Sequence, residues 1–168
     1  MKKFAALLMA LLMVLPMVAM AEAVASPSAD AFTSASVSNY YAQYALTGDD
    51  LMNAVNGQTG TYIVCTVNPD GTPNAAYFIF SMVKHGEEYY LQLGLAENQS
   101  KANLNAGSKG VAVYAANPTG AEGAPAYSVS GARIWFEALE DEAIAAELAA
   151  GARPGAAFYK ITAVRPLG

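Results

Sequence analysis

The chain has 168 residues, a formal net charge of −5 and nine Lys and Arg against 14 Asp and Glu, with 54% hydrophobic residues. That balance leaves no basic stripe to neutralise a nucleic-acid backbone and no basic amphipathic segment to dock on anionic lipid. A single cysteine, Cys65, and a single histidine, His85, exclude an internal disulfide and a zinc site of the usual type.

The first residues read as an export signal. Met1-Lys2-Lys3 is a short basic start, and an unbroken apolar run from Phe4 to Leu15 precedes Pro16. Ala19 and Ala21 form an A-x-A cleavage pattern that makes Glu22 the first mature residue, with a second such pattern at Ala23 and Ala25. A transmembrane helix needs roughly 20 apolar residues, and the stretch from Phe4 to Val18 is shorter and broken by proline. No Cys sits near the cut to take a lipid, and no Arg pair precedes the run, so the expectation is export of the unfolded chain to the periplasm or the extracellular medium. Losing residues 1–21 removes Lys2 and Lys3 and lowers the formal charge from −5 to −7. About 147 residues remain, enough for one domain with a core of its own.

Residues 22–46 are Ala- and Ser-rich and read as a flexible leader, with Tyr40, Tyr41 and Tyr44 placed to pack its end onto the domain at 47–168. A helix is expected over Gly48–Asn56, capped by Thr47, with Asp49 and Asp50 at its positive end and Gly57 as its stop. A strand at 61–68 runs into the turn Asn68-Pro69-Asp70-Gly71, and alternation puts Cys65 on an apolar core face with Ile63 and Val67. A buried, inert thiol follows from that placement, rather than a Cys–His catalytic pair.

One long strand is expected at 73–83, then a polar tip at His85-Gly86-Glu87 and a return strand at 89–94. A short helix at 99–106, a strand at 111–116 and a Gly, Pro and Ala loop at 117–125 come next. The strand at 126–137 alternates, and Gly131 within it reads as a bend. Glu140, Asp141 and Glu142 open a third helix ended by Gly151, and the last strand lies at 157–164. Six strands with short flanking helices and no βαβ alternation predict a mainly β fold, a small closed or nearly closed six-stranded barrel.

Three strings in this order resemble the FMN-binding split-barrel family that includes the pyridoxamine 5′-phosphate oxidases. They are Thr61 to Asn74 with its D-G-x-P turn, Gln99-Ser100-Lys101-Ala102-Asn103-Leu104, and Tyr127-Ser128-Val129-Ser130-Gly131-Ala132-Arg133. The resemblance implies FMN as cofactor, bound in a groove between the subunits of a homodimer. It places the FMN phosphate at a helix start, where backbone N–H groups, the Ser100 hydroxyl and the Lys101 ammonium meet, with Gln99 beside them. It also lays the flavin ring along the strand that carries Tyr77, Phe78, Ile79, Phe80 and Ser81. Aromatics alternating on a strand are otherwise ordinary core.

Arg133 either reaches a flavin phosphate or substrate anion across the subunit contact, or pairs with Glu137 on its own strand face. His85, Lys84 and Lys109 read as solvated surface groups. This sequence departs from the family in having no Arg or Lys between Thr72 and Met82, which argues against a second, phosphorylated substrate. Ser130-Gly131-Ala132-Arg133 only partly resembles a flavin-transfer motif and lacks its acceptor Thr. The likeness thus implies a flavin-dependent oxidoreductase of unknown substrate. The alternatives are a non-redox module for haem, a deazaflavin or another ligand, and a non-catalytic interaction domain on the same barrel.

Overall fold

A computed structural model describes residues 44–116 and 129–167. The export signal, most of the leader with Tyr40 and Tyr41, the loop at 117–125 and the start of the strand at 126–128 lie outside the described residues.

The elements in chain order are α1 (Gly48–Asn56), β1 (Thr61–Val67), β2 (Pro73–Tyr77), β3 (Ser81–His85), β4 (Glu88–Leu93), α2 (Gln99–Asn105), β5 (Gly110–Ala116), β6 (Ser130–Ala138), α3 (Glu142–Ala150) and β7 (Ala157–Arg165). The strands form one antiparallel sheet in the order β2-β1-β5-β6-β7-β4-β3. The fold is mainly β, as expected, with seven strands in place of six. The long strand expected at 73–83 is broken at residues 78–80, and its two halves become the two edges of the sheet.

That break dictates closure. Flat, the sheet would hold its edges about 29 Å apart, at six spacings of about 4.8 Å. The chain from Tyr77 to Ser81 spans roughly 14 Å at most. The sheet must therefore curl, which makes it a split barrel.

The interior is filled from both halves. Tyr62, Val64, Phe80, Met82, Leu91, Leu93, Ala112, Tyr114, Ala132, Ile134 and Phe136 are buried, and α1 adds Leu51 and Val55. Tyr62 packs edge-on against Phe80 at 5.1 Å and against Tyr114 at 5.1 Å, and its hydroxyl donates to Val55 O at 2.6 Å. Burial pushes the Tyr62 phenol up to about 12.

The face of β1 that meets this core is not the one expected. Tyr62, Val64 and Thr66 point inward, while Ile63 and Cys65 are half-buried on the outside and Val67 is 51% exposed. The segment is apolar on both faces, so alternation alone does not say which is inside. The hydroxyls decide it, because Tyr62 and Thr66 both find partners within.

Gly131 also differs from expectation. The irregularity in β6 falls between Trp135 and Phe136, opposite β7. At Gly131 an added Cβ would lie 2.0 Å from Tyr114 O, so the position serves close approach instead of a bend. Beside it the chain at 44–46 is tied down: Leu46 N donates to Gly131 O and Gly131 N to Tyr44 O, around a parallel bridge from Ala45.

Candidate functional site

The helix start at α2 takes its cap from its own chain. Asn98 is extended, and its side-chain oxygen accepts from Lys101 N at 3.0 Å, using one of the amide donors that the phosphate reading needs. Ser100 does not face solvent. It is 2% exposed, and its oxygen accepts from Asn74 Nδ2 at 2.9 Å. Lys101 turns outward and pairs with Glu97 one turn back, with the carboxylate side chain 88% exposed. A pair this open to water contributes about 0–1 kcal/mol, so Glu97 can exchange for another anion at little cost.

Asparagines build the rest of this corner. Asn103, 1% exposed, donates to Thr66 Oγ1 and to Asn68 Oδ1, both at 2.9 Å, and accepts from Gln99 Nε2 at 2.7 Å. Asn74 donates to Thr66 Oγ1 as well, at 3.1 Å. Among the described residues no fully buried side-chain N or O atom lacks a partner. Gln99 and Ser100 are thus brought together with Lys101, as expected, but inside a network that locks α2 onto the β1–β2 hairpin. Thr66, Asn68, Asn74 and Asn103 were not singled out as site residues. The signal available was the density of Asn in the first two of the three strings that carry the family resemblance.

The segment expected beneath a flavin ring divides. Phe80 is buried and Phe78 packs against the core, its amide donating to Tyr62 O at 3.3 Å. Ser81 starts β3 on the other half of the sheet, where its hydroxyl meets Gln92 at 3.4 Å. Tyr77 and Ile79 point out of the barrel and are 58% and 52% exposed.

On that outer face the pairing register aligns Tyr77, Ile63, Val113 and Arg133 across four adjacent strands, with Ala75, Cys65, Val111 and Trp135 in the next row. The result is an apolar surface bordered by Arg133, which is paired in register with Arg165 on β7. Burial pushes the Cys65 thiol up, which keeps it protonated and unreactive. Arg133 does not pair with Glu137: its Nε donates to Pro166 O at 2.7 Å, and the guanidinium lies 5.5 Å from the Trp135 ring centroid. Glu137 is taken instead by Lys109, at 2.8 Å. The bulge between Trp135 and Phe136 separates the two positions in the ladder to β7.

His85 and Lys84, expected as solvated, each have a partner. His85 Nε2 meets Glu147 Oε2 at 2.6 Å, and Lys84 meets Asp49 at 3.4 Å beside the Tyr89 ring. Among the described residues no group of three or more His, Cys, Asp or Glu is placed to hold a metal.

No protein-family model and no curated protein matches the sequence. Solved structures do. A candidate pyridoxamine 5′-phosphate oxidase from Lactobacillus delbrueckii is 22% identical, with 71% of this chain and 93% of that chain covered and a TM-score of 0.49. An FMN-binding protein from Syntrophomonas wolfei is 18% identical over 70% and 84% of the two chains, with a TM-score of 0.49. HutZ of Vibrio cholerae, described as a haem storage protein, is 12% identical over 72% and 95%, with a TM-score of 0.42. Each of these is a likeness to this chain at low identity, and none matches its sequence closely.

Proposed function

We propose that the protein is an exported FMN-binding homodimer. The observation that carries this reading is the outer face of β2, β1 and β5 and the break after β2, bare among the described residues, where Val67, Tyr77 and Ile79 are each more than half exposed. A small domain rarely leaves so continuous an apolar sheet surface in water unless a ligand or a second subunit covers it. α2 packs against β1 and β2 beside that face and holds Lys101, a cation with an exchangeable partner. The isoalloxazine ring lies against Tyr77 and Ile79, and the phosphate replaces Glu97 at Lys101. Ser100 and Gln99 act indirectly, by fixing α2. A bound flavin supplies hydride or electron transfer, and the chain supplies position, charge and exclusion of water.

A chain exported unfolded meets its flavin outside the cytoplasm, so the purified protein is tested with added FMN. Flavin absorbance that stays with the protein through a desalting column, with Lys101→Ala binding more weakly by about 1–3 kcal/mol, supports the reading. Free passage of the flavin sinks it. Haem, the second reading, is tested in the same way by a Soret band. His85 is the only imidazole in the chain, and Glu147 holds its Nε2. FMN is therefore the first choice.

A further inference from the structure

On the opposite half of the barrel, the outer face of β4, β7 and β6 carries a groove of about 680 Å³ beside the start of α3. The pairing register sets Tyr90, Lys160 and Glu137 in one row across its floor. Tyr90 is only 5% exposed, and its hydroxyl makes no hydrogen bond among the described residues. Since no fully enclosed polar atom there lacks a partner, this hydroxyl must open onto the groove it lines.

The charges around it do not cancel. Lys109 and Glu137 neutralise each other at 2.8 Å. That leaves the Lys160 ammonium on the floor and three carboxylates, Glu88, Glu140 and Asp141, at the walls, none of which forms an ion pair among the described residues. Asp141 spends Oδ1 on capping α3, and Oδ2 is left over. The Tyr90 phenol is pushed up by burial and then by Glu88 and Asp141, so it stays a donor. Ile144 adds an apolar wall.

We propose that this groove binds a small dibasic amino acid. Its carboxylate meets Lys160 and the Tyr90 hydroxyl, its two ammonium groups meet the three unpaired carboxylates, and its methylenes lie on Ile144. The volume suits a small ligand. The site is separate from the flavin face and does not depend on it.

Titration calorimetry of the full chain with L-lysine, and with cadaverine as the same molecule without a carboxylate, tests the assignment. L-lysine is expected to bind at least tenfold more tightly than cadaverine, and Lys160→Met to abolish that preference. Asp141→Asn keeps the helix cap, because Asn caps as well as Asp, and is expected to lose fivefold or more in affinity at unchanged helix content. Tyr90→Phe loses threefold to tenfold. No heat with L-lysine, equal binding of cadaverine, or wild-type affinity in both Asp141→Asn and Tyr90→Phe overturns the proposal.

Discussion

The two outer faces of this one sheet are built to opposite rules. The face of β3, β4 and β7 is covered by α3 and carries ionisable groups: His85 paired to Glu147, Lys160, Glu88 and a buried Tyr90. The face of β2, β1 and β5 has no helix on it among the described residues and carries Ile63, Cys65, Val67, Tyr77, Val111 and Val113. Each half shares the same interior. The difference teaches that the core sets the fold, while the outer rows decide what each half meets. One half presents charge to its surroundings, and the other presents apolar side chains.

The sharpest way to break the comparison is to remove both faces at once. Gly131→Val drives side-chain carbon into the Tyr114 carbonyl and disturbs the pairing of residues 44–46 with β6. It is expected to cost about 4 kcal/mol or more and to abolish cooperative melting, as read by circular dichroism. Next comes the polar corner beneath the bare face. Asn103→Leu removes the donor to Asn68 Oδ1 and the acceptor of Gln99 Nε2, and leaves Thr66 Oγ1 with Asn74 alone. About 2–3 kcal/mol should be lost in chemical denaturation, with FMN affinity falling alongside if α2 is what holds Lys101 in place.

A change confined to the bare face should act on assembly and leave folding alone. Tyr77→Lys with Ile79→Lys is expected to convert a dimer to a monomer in light scattering, with a melting temperature within a few degrees of the parent when both are measured as monomers. A protein that is monomeric before the change removes the homodimer. On the covered face, His85→Ala loses one exposed pair to α3, and the expected effect is below about 1 kcal/mol, measured by urea denaturation.

The smallest effect is one of pH. Hydrogen bonds from Tyr89 and Lys84 hold the Asp49 carboxyl below its ordinary value of 3.8. A group lowered by folding stabilises above its unfolded value and loses that contribution as pH falls through the folded one. Asp49→Asn should therefore be slightly less stable than the parent at neutral pH, and the two stability–pH curves should converge as pH falls below about 4, where the parent's carboxyl is protonated. A difference that stays constant down to acid pH would assign the loss to packing instead of charge.

Much of this was legible in the residues, and the reasons differ from place to place. The bounds of α1 fall at Thr47 and Gly57 as expected, with Asp49 and Asp50 in the first turn, although the Thr47 side chain makes no capping hydrogen bond; such signals act over three or four positions. The β1–β2 turn follows from Asn68-Pro69-Asp70-Gly71 for the same reason, and Gly71 does take a positive φ of 83°. The inward face of β1 was misread, since Ile63, Cys65 and Val67 are more apolar than Tyr62 and Thr66, and only a partner elsewhere in the chain makes a buried hydroxyl acceptable. Ser100 was expected at an open helix start, and it lies 2% exposed instead, with its oxygen accepting from Asn74, 26 positions away.

The sequence by itself determined where elements start and stop outside residues 73–83, that the fold is mainly β, and that no internal disulfide can staple it, because these depend on neighbours along the chain or on composition. Tertiary structure alone decided that residues 73–83 split to form both edges of a curled sheet, that Glu137 goes to Lys109 and not Arg133, and that one flank is bare while the other holds a charged groove. Those outcomes depend on which strands lie side by side. Pairing between distant segments is set by the closure of the whole barrel, and no local pattern of residues encodes it.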